Sequence, residues 1–316
     1  NVKREVSSPT LTFHVFTFSH ANRGFATLCT TSVSQRLVVL CMALFDWFLS
    51  PLSYPFMLRA LQASLMVGVV CSVLGTYVIL QGMAFFGDAL SHAILPGVVL
   101  AFLAGWPLAV GALLFGVLAA LGIGVLSERE EIREDTAIGI VFAGSFALGV
   151  ALLSTTGSYA TDLAHILFGN VLGVSSEEVW LIFGLGLLVL GVIVALYKEF
   201  LVLAFDPTLA VVLRLPRGLL RYLQLILIAV TIVVSLQTVG VALMLAMLVT
   251  PASAASLLTK RLPSMMLVSG LIGSFSNLTG LYLSFYFNIA SGPAMVLVAT
   301  GVFLVVFLYH SLRKRL

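Results

Sequence analysis

The sequence predicts an all-α membrane protein that crosses the bilayer about eight to ten times. Of its 316 residues, 60% are hydrophobic and only 9% are charged, and the mean hydropathy is +1.15. Soluble domains carry about 25% charged residues, so this chain has too little charge to cover a soluble surface. Its apolar residues also come in runs of roughly 18 or more, which is long enough to cross a bilayer as helices.

Nine stretches of the chain are predicted to span the membrane, because each is apolar over the length that a span requires. Glycine, proline or charged residues separate them, for example at Trp106-Pro107. Small residues are frequent within them, as close packing of helices in lipid requires. The predicted spans cover residues 56–80, 88–105, 107–127, 136–154, 179–197, 219–236, 238–258, 264–286 and 292–310.

Residues 1–50 are predicted to be an atypical N-terminal extension or interfacial segment, and residues 51–316 the transmembrane domain. The first 32 residues are mixed in polarity, and residues 37–50 are shorter than a span requires. Within the transmembrane domain, residues 162–174 are only moderately apolar. That composition favours a short re-entrant or surface helix over a further span.

The basic residues predict which loops face the cytoplasm. Lys and Arg cluster at residues 198–221, 260–261 and 313–315, and the predicted spans place all three loops on one side. Cytoplasmic loops are the ones that carry an excess of Lys and Arg. The N-terminus is then outside with nine spans, or inside if residues 37–50 also cross. Because these clusters flank apolar runs, they do not indicate nucleic-acid binding.

Two ionisable residues, Asp88 and His92, lie together inside a predicted span. They are four residues apart, so on a helix both side chains project from one face. Charged groups at membrane depth are costly, and they usually line a polar path or pair with a partner. A carboxylate oxygen and an imidazole nitrogen are ligands for Mn²⁺, Fe²⁺ or Zn²⁺. The pair therefore predicts half of a transient metal site on a translocation path.

A purely structural interpretation of the pair is also open. Asp88 could cap a helix whose first turn contains Ser91 and His92.

Backbone that can kink follows the pair at Pro96, and a second such point is Thr250-Pro251 within another apolar span. Ser91, Pro96, Thr250 and Pro251 are therefore candidates for the kinked wall of a path, with an ordinary packing kink as the alternative at Pro251.

The segment 198–218 is long and mixed in polarity. Asp206-Pro207 is typical of a helix start, with an acidic cap followed by proline in the first turn. A short cytoplasmic helix there would present Leu209, Val212 and Leu213 as a docking surface. An ordinary amphipathic linker helix is the alternative interpretation.

Motifs for covalent chemistry do not occur in the sequence. None of the four lysines is followed by Ser or Thr, as a P-loop requires, and neither HExxH nor GxSxG is found. The chain is therefore not expected to hydrolyse ATP or to be an enzyme. No permanently bound cofactor is expected either.

Several stretches, taken in order, resemble the membrane permeases of ATP-binding-cassette importers for manganese, zinc and iron. Each stretch alone is weak, but their combination in this order is specific, and the resemblance runs from about Leu52 to the last span. The stretches are Pro51–Phe56 (PLSYPF), Gly87–Gly97 (GDALSHAILPG), Glu134–Gly139 (EDTAIG), Leu167–Asn170 (LFGN), Phe205–Pro207 (FDP), Gln237–Met244 (QTVGVALM) and Thr250–Ala252 (TPA).

This resemblance implies a permease fold of the vitamin-B12-importer type (type II) in the bacterial inner membrane. Two permease copies would enclose a central path, ATP-binding-cassette ATPases would dock below, and an extracytoplasmic metal-binding protein would deliver the ion. The family's intramembrane acid and imidazole that contact the metal match Asp88 and His92.

The family's coupling helix, which faces the ATPase, matches the segment that starts at Asp206-Pro207. Relatives carry an Ala-x-x-x-Gly-Leu pattern there, whereas this chain has Ala210 followed by Arg214-Leu215. The resemblance therefore implies that Asp206, Pro207, Ala210 and Arg214 take part in coupling, with a departure at Arg214.

The form of the Gly87–Gly97 stretch is closer to manganese and iron members than to zinc members, which favours manganese as the substrate. Coordination chemistry alone would not decide this, because intrinsic affinities place Zn²⁺ above Mn²⁺. Two other functions stay open: a secondary transporter in which Asp88 and His92 form a proton relay, and a membrane scaffold in which Asp88 is only a helix cap.

Overall fold

Helices form all of the regular secondary structure in the part of the chain that the structure, a computed structural model, describes: residues 50–128, 132–155, 171–240 and 244–315. Residues 1–49 and 156–170 lie outside this part, so the predicted N-terminal extension and most of the predicted 162–174 helix stay predictions. The helices are α1 (Pro55–Leu80), α2 (Ala84–Ala93), α3 (Leu95–Leu103), α4 (Leu108–Ser127), α5 (Glu134–Ser154), α6 (Ser176–Ala195), α7 (Tyr197–Phe205), α8 (Pro207–Val212), α9 (Arg217–Val239), α10 (Met244–Leu258), α11 (Leu262–Phe287) and α12 (Ser291–Arg315).

Eight segments of the described residues are long and apolar enough to cross a membrane, with α2 and α3 together counting as one. The shorter helix α10 is also apolar. The predicted all-α, polytopic fold with about eight to ten spans is therefore confirmed. The eight segments are Pro55–Leu80, Ala84–Leu103, Leu108–Ser127, Glu134–Ser154, Ser176–Ala195, Arg217–Leu236, Leu262–Phe287 and Ser291–Lys314.

The predicted span 88–105 begins earlier and is broken in two. Gly82 adopts φ +73°, a left-handed conformation that suits glycine, and this turn allows α2 to begin at Ala84. The second half, α3, starts at Leu95 with Pro96 in its first turn. Because proline has no N–H, it cannot continue the hydrogen-bond ladder of α2, so the helix breaks at Ile94.

The segment 198–218 contains two short helices, whereas the sequence predicts only the one that starts at Asp206-Pro207. Residues 197–205 form α7, which buries Phe200 and Leu203 along one face. These two residues are three positions apart, as the helical repeat requires. The ring of Phe200 meets Tyr77 of α1 edge-on at 5.8 Å between centroids, which fixes α7 against the bundle.

Helix α1 lies at the centre of the bundle and packs against α11, α10, α6 and α9. Its contact with α11 contains polar groups that are fully buried. The amide of Asn277 donates to the Ser64 carbonyl at 2.5 Å, and the hydroxyl of Ser269 donates to the Ser72 carbonyl at 2.9 Å. Hydrogen bonds between helices stabilise such contacts in lipid, where water is not available as a partner.

Helices α3 and α4 approach each other at a pair of glycines. A Cβ atom on Gly97 would lie 2.1 Å from the carbonyl oxygen of Gly111, and a Cβ on Gly111 would lie 2.1 Å from the carbonyl oxygen of Gly97. No larger residue fits at either position without moving a backbone. The absence of both side chains thus lets the two backbones touch, as at small-residue crossings in membrane bundles.

We expect Gly111→Ala to destabilise the protein by about 1–3 kcal/mol, because the new methyl group would push α4 away from α3. Thermal unfolding of the purified protein in detergent measures this. Gly122→Ala on the same helix is the matched control, since its Cβ would meet only Val141 at an ordinary 3.8 Å. Equal unfolding temperatures of the two variants would contradict the close α3–α4 contact.

Candidate metal site and coupling helix

Asp88 and His92 lie one turn apart on α2, as the sequence predicts. The Oδ1 atom of Asp88 is 3.8 Å from Nε2 of His92. The side chains are 39% and 27% exposed in the single chain, although the helix belongs to an apolar span. The pair is therefore partly accessible in the single chain and is not sealed in the core of the bundle.

Aromatic rings of α5 hold the imidazole in place. The ring of His92 meets Phe142 and Phe146 edge-on, at centroid distances of 5.8 and 5.7 Å. The neighbouring Ser91 is buried, and its hydroxyl donates to the backbone carbonyl of Asp88 at 2.7 Å. Ser91 thus supports the helix that carries the pair, and its hydrogen is already engaged.

The position of Asp88 contradicts its interpretation as a helix cap. Helix α2 begins at Ala84 and its N-cap residue is Met83, so Asp88 is in the second turn. A capping carboxylate sits before the first turn, where the backbone N–H groups are free. The carboxylate of Asp88 therefore has no capping role on α2.

The geometry of the pair suits shared coordination of one cation. Two ligands at about 2.1 Å from a metal can lie up to about 4.2 Å apart. The observed 3.8 Å is within that limit. Among the described residues, however, no group of three or more His, Cys, Asp and Glu could hold an ion. One chain therefore offers two ligands, and the other ligands must come from outside this cluster.

Pro96, Thr250 and Pro251, the other residues predicted to form the wall of a path, lie on two different helices. Pro96 is buried and opens α3 directly after the helix break, so it shapes the segment that follows the pair. Thr250 and Pro251 lie within α10, which approaches α2 where Leu248 faces Gly87. No hydrogen bond or ion pair of the described residues joins Thr250 or Pro251 to Asp88 or His92, so their place in a path stays a prediction.

Asp206 caps the short helix α8, as its sequence predicts. Its Oδ1 atom accepts hydrogen bonds from the backbone N–H groups of Thr208 and Leu209 at 2.9 and 3.0 Å. The hydroxyl of Thr208 donates to the same oxygen, and these bonds lower the pKa of Asp206. The cap therefore stabilises the helix above the carboxyl's unfolded pKa and is lost as the pH falls through the lowered value.

Helix α8 presents an apolar surface and ends in a strained turn. Leu209, Val212 and Leu213 are exposed, whereas Ala210 is buried. Arg214 adopts φ 55°, in the left-handed region, and the next residue's N–H donates to the Ala210 carbonyl at 3.0 Å. This is the Schellman arrangement, in which the left-handed position favours glycine. This chain therefore departs from the family's Ala-x-x-x-Gly-Leu pattern at Arg214, where the left-handed backbone conformation favours glycine.

Two polar contacts at the start of α9 were not singled out from the sequence. Arg221 donates to Glu134 of α5 at 2.8 Å, and the amides of Gln81 and Gln224 bond reciprocally at 3.0 Å. A cavity of about 270 Å³ lies beside them. The sequence signal for these contacts is Gln224, an uncharged polar residue inside the predicted apolar span 219–236.

A comparison with known protein families decides the relationship. The model of the ABC 3 transport family matches residues 53–310 of the chain. The chain belongs to the ABC 3 transport family. The resemblance to permeases of metal-ion importers is thereby confirmed, and so is the predicted multi-pass location in a bacterial membrane.

The most similar proteins include permeases named for manganese and iron. The manganese transport system membrane protein MntC of Listeria innocua is 47% identical over 82% of this chain and 92% of its own length. The chelated iron transport system membrane protein YfeD of Yersinia pestis is 40% identical over 85% of this chain and 91% of its own. The chain thus spans nearly the whole of both relatives.

Solved structures share the fold. PsaBC from Streptococcus pneumoniae, in complex with Fab, has a TM-score of 0.74 at 39% identity and covers 82% of this chain and 94% of that one. A metal-chelate type ABC transporter in an inward-facing conformation has a TM-score of 0.64 at 18% identity, over 80% and 86% of the two chains. The second likeness shows the fold alone.

We expect Arg214→Gly to stabilise the purified protein by about 1 kcal/mol, because glycine adopts the left-handed conformation without the clash of a Cβ atom. Thermal unfolding in detergent measures the change. Arg214→Ala is the control, because it removes the charge and keeps the Cβ. If the two variants unfold at the same temperature, the strain at this turn is not what limits its stability.

Proposed function

We propose that this chain is the permease subunit of an ATP-driven importer that passes a divalent metal ion along a path lined by Asp88 and His92. The observation that carries the proposal is the 3.8 Å separation of these two side chains within a membrane span. An acid and an imidazole at that depth are energetically costly. Such residues are therefore rare in membrane spans, and they usually line a path or pair with a partner. Membership of the ABC 3 transport family supports ATP as the energy source.

Manganese is the proposed substrate, with iron or zinc as the alternatives. The relatives MntC of Listeria innocua and ScaB of Streptococcus gordonii are named for manganese, and YfeD is named for chelated iron. One carboxylate and one imidazole suit all of these ions, so selectivity must come from the remaining ligands and from availability. The ion is cargo, and the chain itself performs no covalent chemistry.

A second copy of the chain is the proposed partner within the membrane. The pair supplies only two ligands and is partly exposed in the single chain. Helix α5, whose phenylalanines contact His92, has only 17% of its span buried, against 67% for α1. Two copies facing each other through α5 would cover this surface and bring two carboxylates and two imidazoles to one path.

A cytoplasmic ATP-binding-cassette ATPase is the proposed partner of α8. The exposed Leu209, Val212 and Leu213 give this helix an apolar surface that a groove on the ATPase could bury. Asp206 and Pro207 fix where the helix begins, and Ala210 packs it against the permease. An extracytoplasmic metal-binding protein would deliver the ion on the opposite side.

Transport then requires two states of the path with different affinities. ATP binding would move α8, rock the two copies, and open the pair first to the delivery protein and then to the cytoplasm. A ligand shifts such an equilibrium only by its differential affinity, so coordination by Asp88 and His92 must weaken as the path opens inward.

We expect Asp88→Asn and His92→Phe each to reduce Mn²⁺ uptake to background in proteoliposomes that contain the ATPase and the delivery protein. Asparagine removes the charge, and phenylalanine keeps the packing on Phe142 and Phe146 without the ligand nitrogen. His310→Phe on α12 is the matched control and should transport normally. Uptake at the normal rate in both site variants would remove the site, and uptake without the ATPase would favour the proton-coupled alternative.

We expect a cysteine at position 143, on the exposed face of α5, to join two copies of the chain through a short bifunctional maleimide. The variant is Ala143→Cys in a background with Cys29→Ser and Cys41→Ser, and gel electrophoresis measures the linked dimer. Leu304→Cys on α12 is the control, since its position is also exposed. Equal linkage at both positions, or none at 143, would contradict an interface through α5.

A further inference from the structure

Helix α9 makes an ion pair with the start of α5. The guanidinium of Arg221 donates to Glu134 Oε1 at 2.8 Å and to the hydroxyl of Ser127, at the end of α4, at 3.0 Å. Glu134 is the first residue of α5. Arg221 thus holds the α4–α5 connection, and α5 carries the two rings that contact His92.

The same helix makes an amide pair with the turn before α2. Gln224 is nearly fully buried, and its side-chain amide exchanges two hydrogen bonds of 3.0 Å with Gln81. Gln81 caps the end of α1, and α2 begins three residues later at Ala84. A movement of Gln224 therefore acts on the turn from which the helix with Asp88 and His92 extends.

Helix α9, which makes both of these contacts, is joined at its start to α8, the proposed coupling helix. Only four residues, 213–216, separate α8 from α9, and hydrogen bonds tie them to both sides. The N–H of Leu215 donates to Ala210, and the N–H of Arg217 donates to the Leu215 carbonyl at 2.8 Å. A displacement of α8 must therefore move the first turns of α9, where Arg221 and Gln224 lie one turn apart.

The ion pair is partly exposed and lies beside a cavity. Arg221 and Glu134 are 24% and 36% exposed, and a cavity of about 270 Å³ lies beside both of them and the amide pair. An ion pair that water can reach contributes little to net stability, so a variant without it should still fold. The contact can therefore link α9 to α5 without being needed to hold the bundle together.

We propose that Arg221 and Gln224 are positioning residues that transmit the movement of α8 to the Asp88–His92 pair. Arg221 acts through Glu134 and α5, and Gln224 acts through Gln81 and α2. Both elements that surround the pair are then driven by one rigid helix, so the two sides of the site move together. The inference rests on the proposed function, because it assumes that α8 receives a movement from an ATPase.

The test measures Mn²⁺ uptake and ATP hydrolysis together in proteoliposomes of the complete transporter. We expect Arg221→Gln, Glu134→Gln and the double variant Gln81→Leu with Gln224→Leu each to lower the ions moved per ATP hydrolysed by about fivefold. ATP hydrolysis and Mn²⁺ binding by the purified complex should change by less than about twofold, because α8 and the pair are intact.

Two further variants separate a transmitted movement from a general effect. Arg217→Gln is the matched control: it removes a cation from the same cavity one turn earlier, and no ion pair of Arg217 occurs among the described residues. The Arg217→Gln variant should move a normal number of Mn²⁺ ions per ATP hydrolysed. The exchange Arg221→Glu with Glu134→Arg rebuilds the ion pair and should recover most of the coupling lost in the single variants.

Three results would overturn the inference. They are normal coupling in Arg221→Gln and in the amide double variant, an equal loss in Arg217→Gln, and a parallel loss of ATP hydrolysis and assembly, which indicates a merely structural role. Failure of the proposed function is distinguishable, since the unaltered transporter would then show no ATP-dependent Mn²⁺ uptake at all.

Discussion

Because the bilayer interior offers no hydrogen-bond partners, a polar group of this chain at membrane depth must find its partner within the protein. Most of the polar contacts follow that rule. Asn277 bonds to the backbone of α1, and Gln81 and Gln224 bond to each other. Some buried atoms of the described residues, such as Ser72 Oγ and Asn277 Oδ1, have no hydrogen-bond partner. Asp88 and His92 differ from these because they are charged or chargeable groups that are partly exposed, and 3.8 Å is too long for a hydrogen bond between them. Their incomplete pairing is one reason for the proposal that they contact a passing cation.

The break between α2 and α3 determines how the pair is presented. A continuous span would carry Asp88 and His92 along a straight helix, whereas the break at Ile94 allows α2 and α3 to pack differently on their neighbours. Both halves contact α4 and α5, but α2 also lies against α10, and α3 makes the close glycine crossing with α4. Broken helices are common at transport sites, because their free ends and unwound backbone can interact with the substrate.

The short helix α8 has an ordered start and a strained end. Asp206 fixes the start of α8 with two backbone hydrogen bonds, and Arg214 completes its end in a conformation that glycine adopts more easily. Strained backbone often lies at functional positions. Here it directly precedes the turn into α9, whose polar contacts reach both elements around Asp88 and His92.

The sequence by itself determined the spans, the spacing of Asp88 and His92 on one face, and the cap at Asp206. Each of these depends on residues a few positions apart, and the apolar runs, the helical repeat and capping chemistry act at that range. The resemblance to a permease family also came from short stretches read in order.

Only the tertiary structure decided that α2 begins at Ala84, that residues 197–205 form a helix, and that α5 packs on His92. It also brought together Arg221 with Glu134 and Gln224 with Gln81, which are 87 and 143 positions apart. Such contacts depend on how separate helices pack, and no local pattern encodes which glutamine meets which. The physical reason is that helices associate in lipid through complementary shape and interhelical hydrogen bonds, and these depend on the arrangement of the whole bundle.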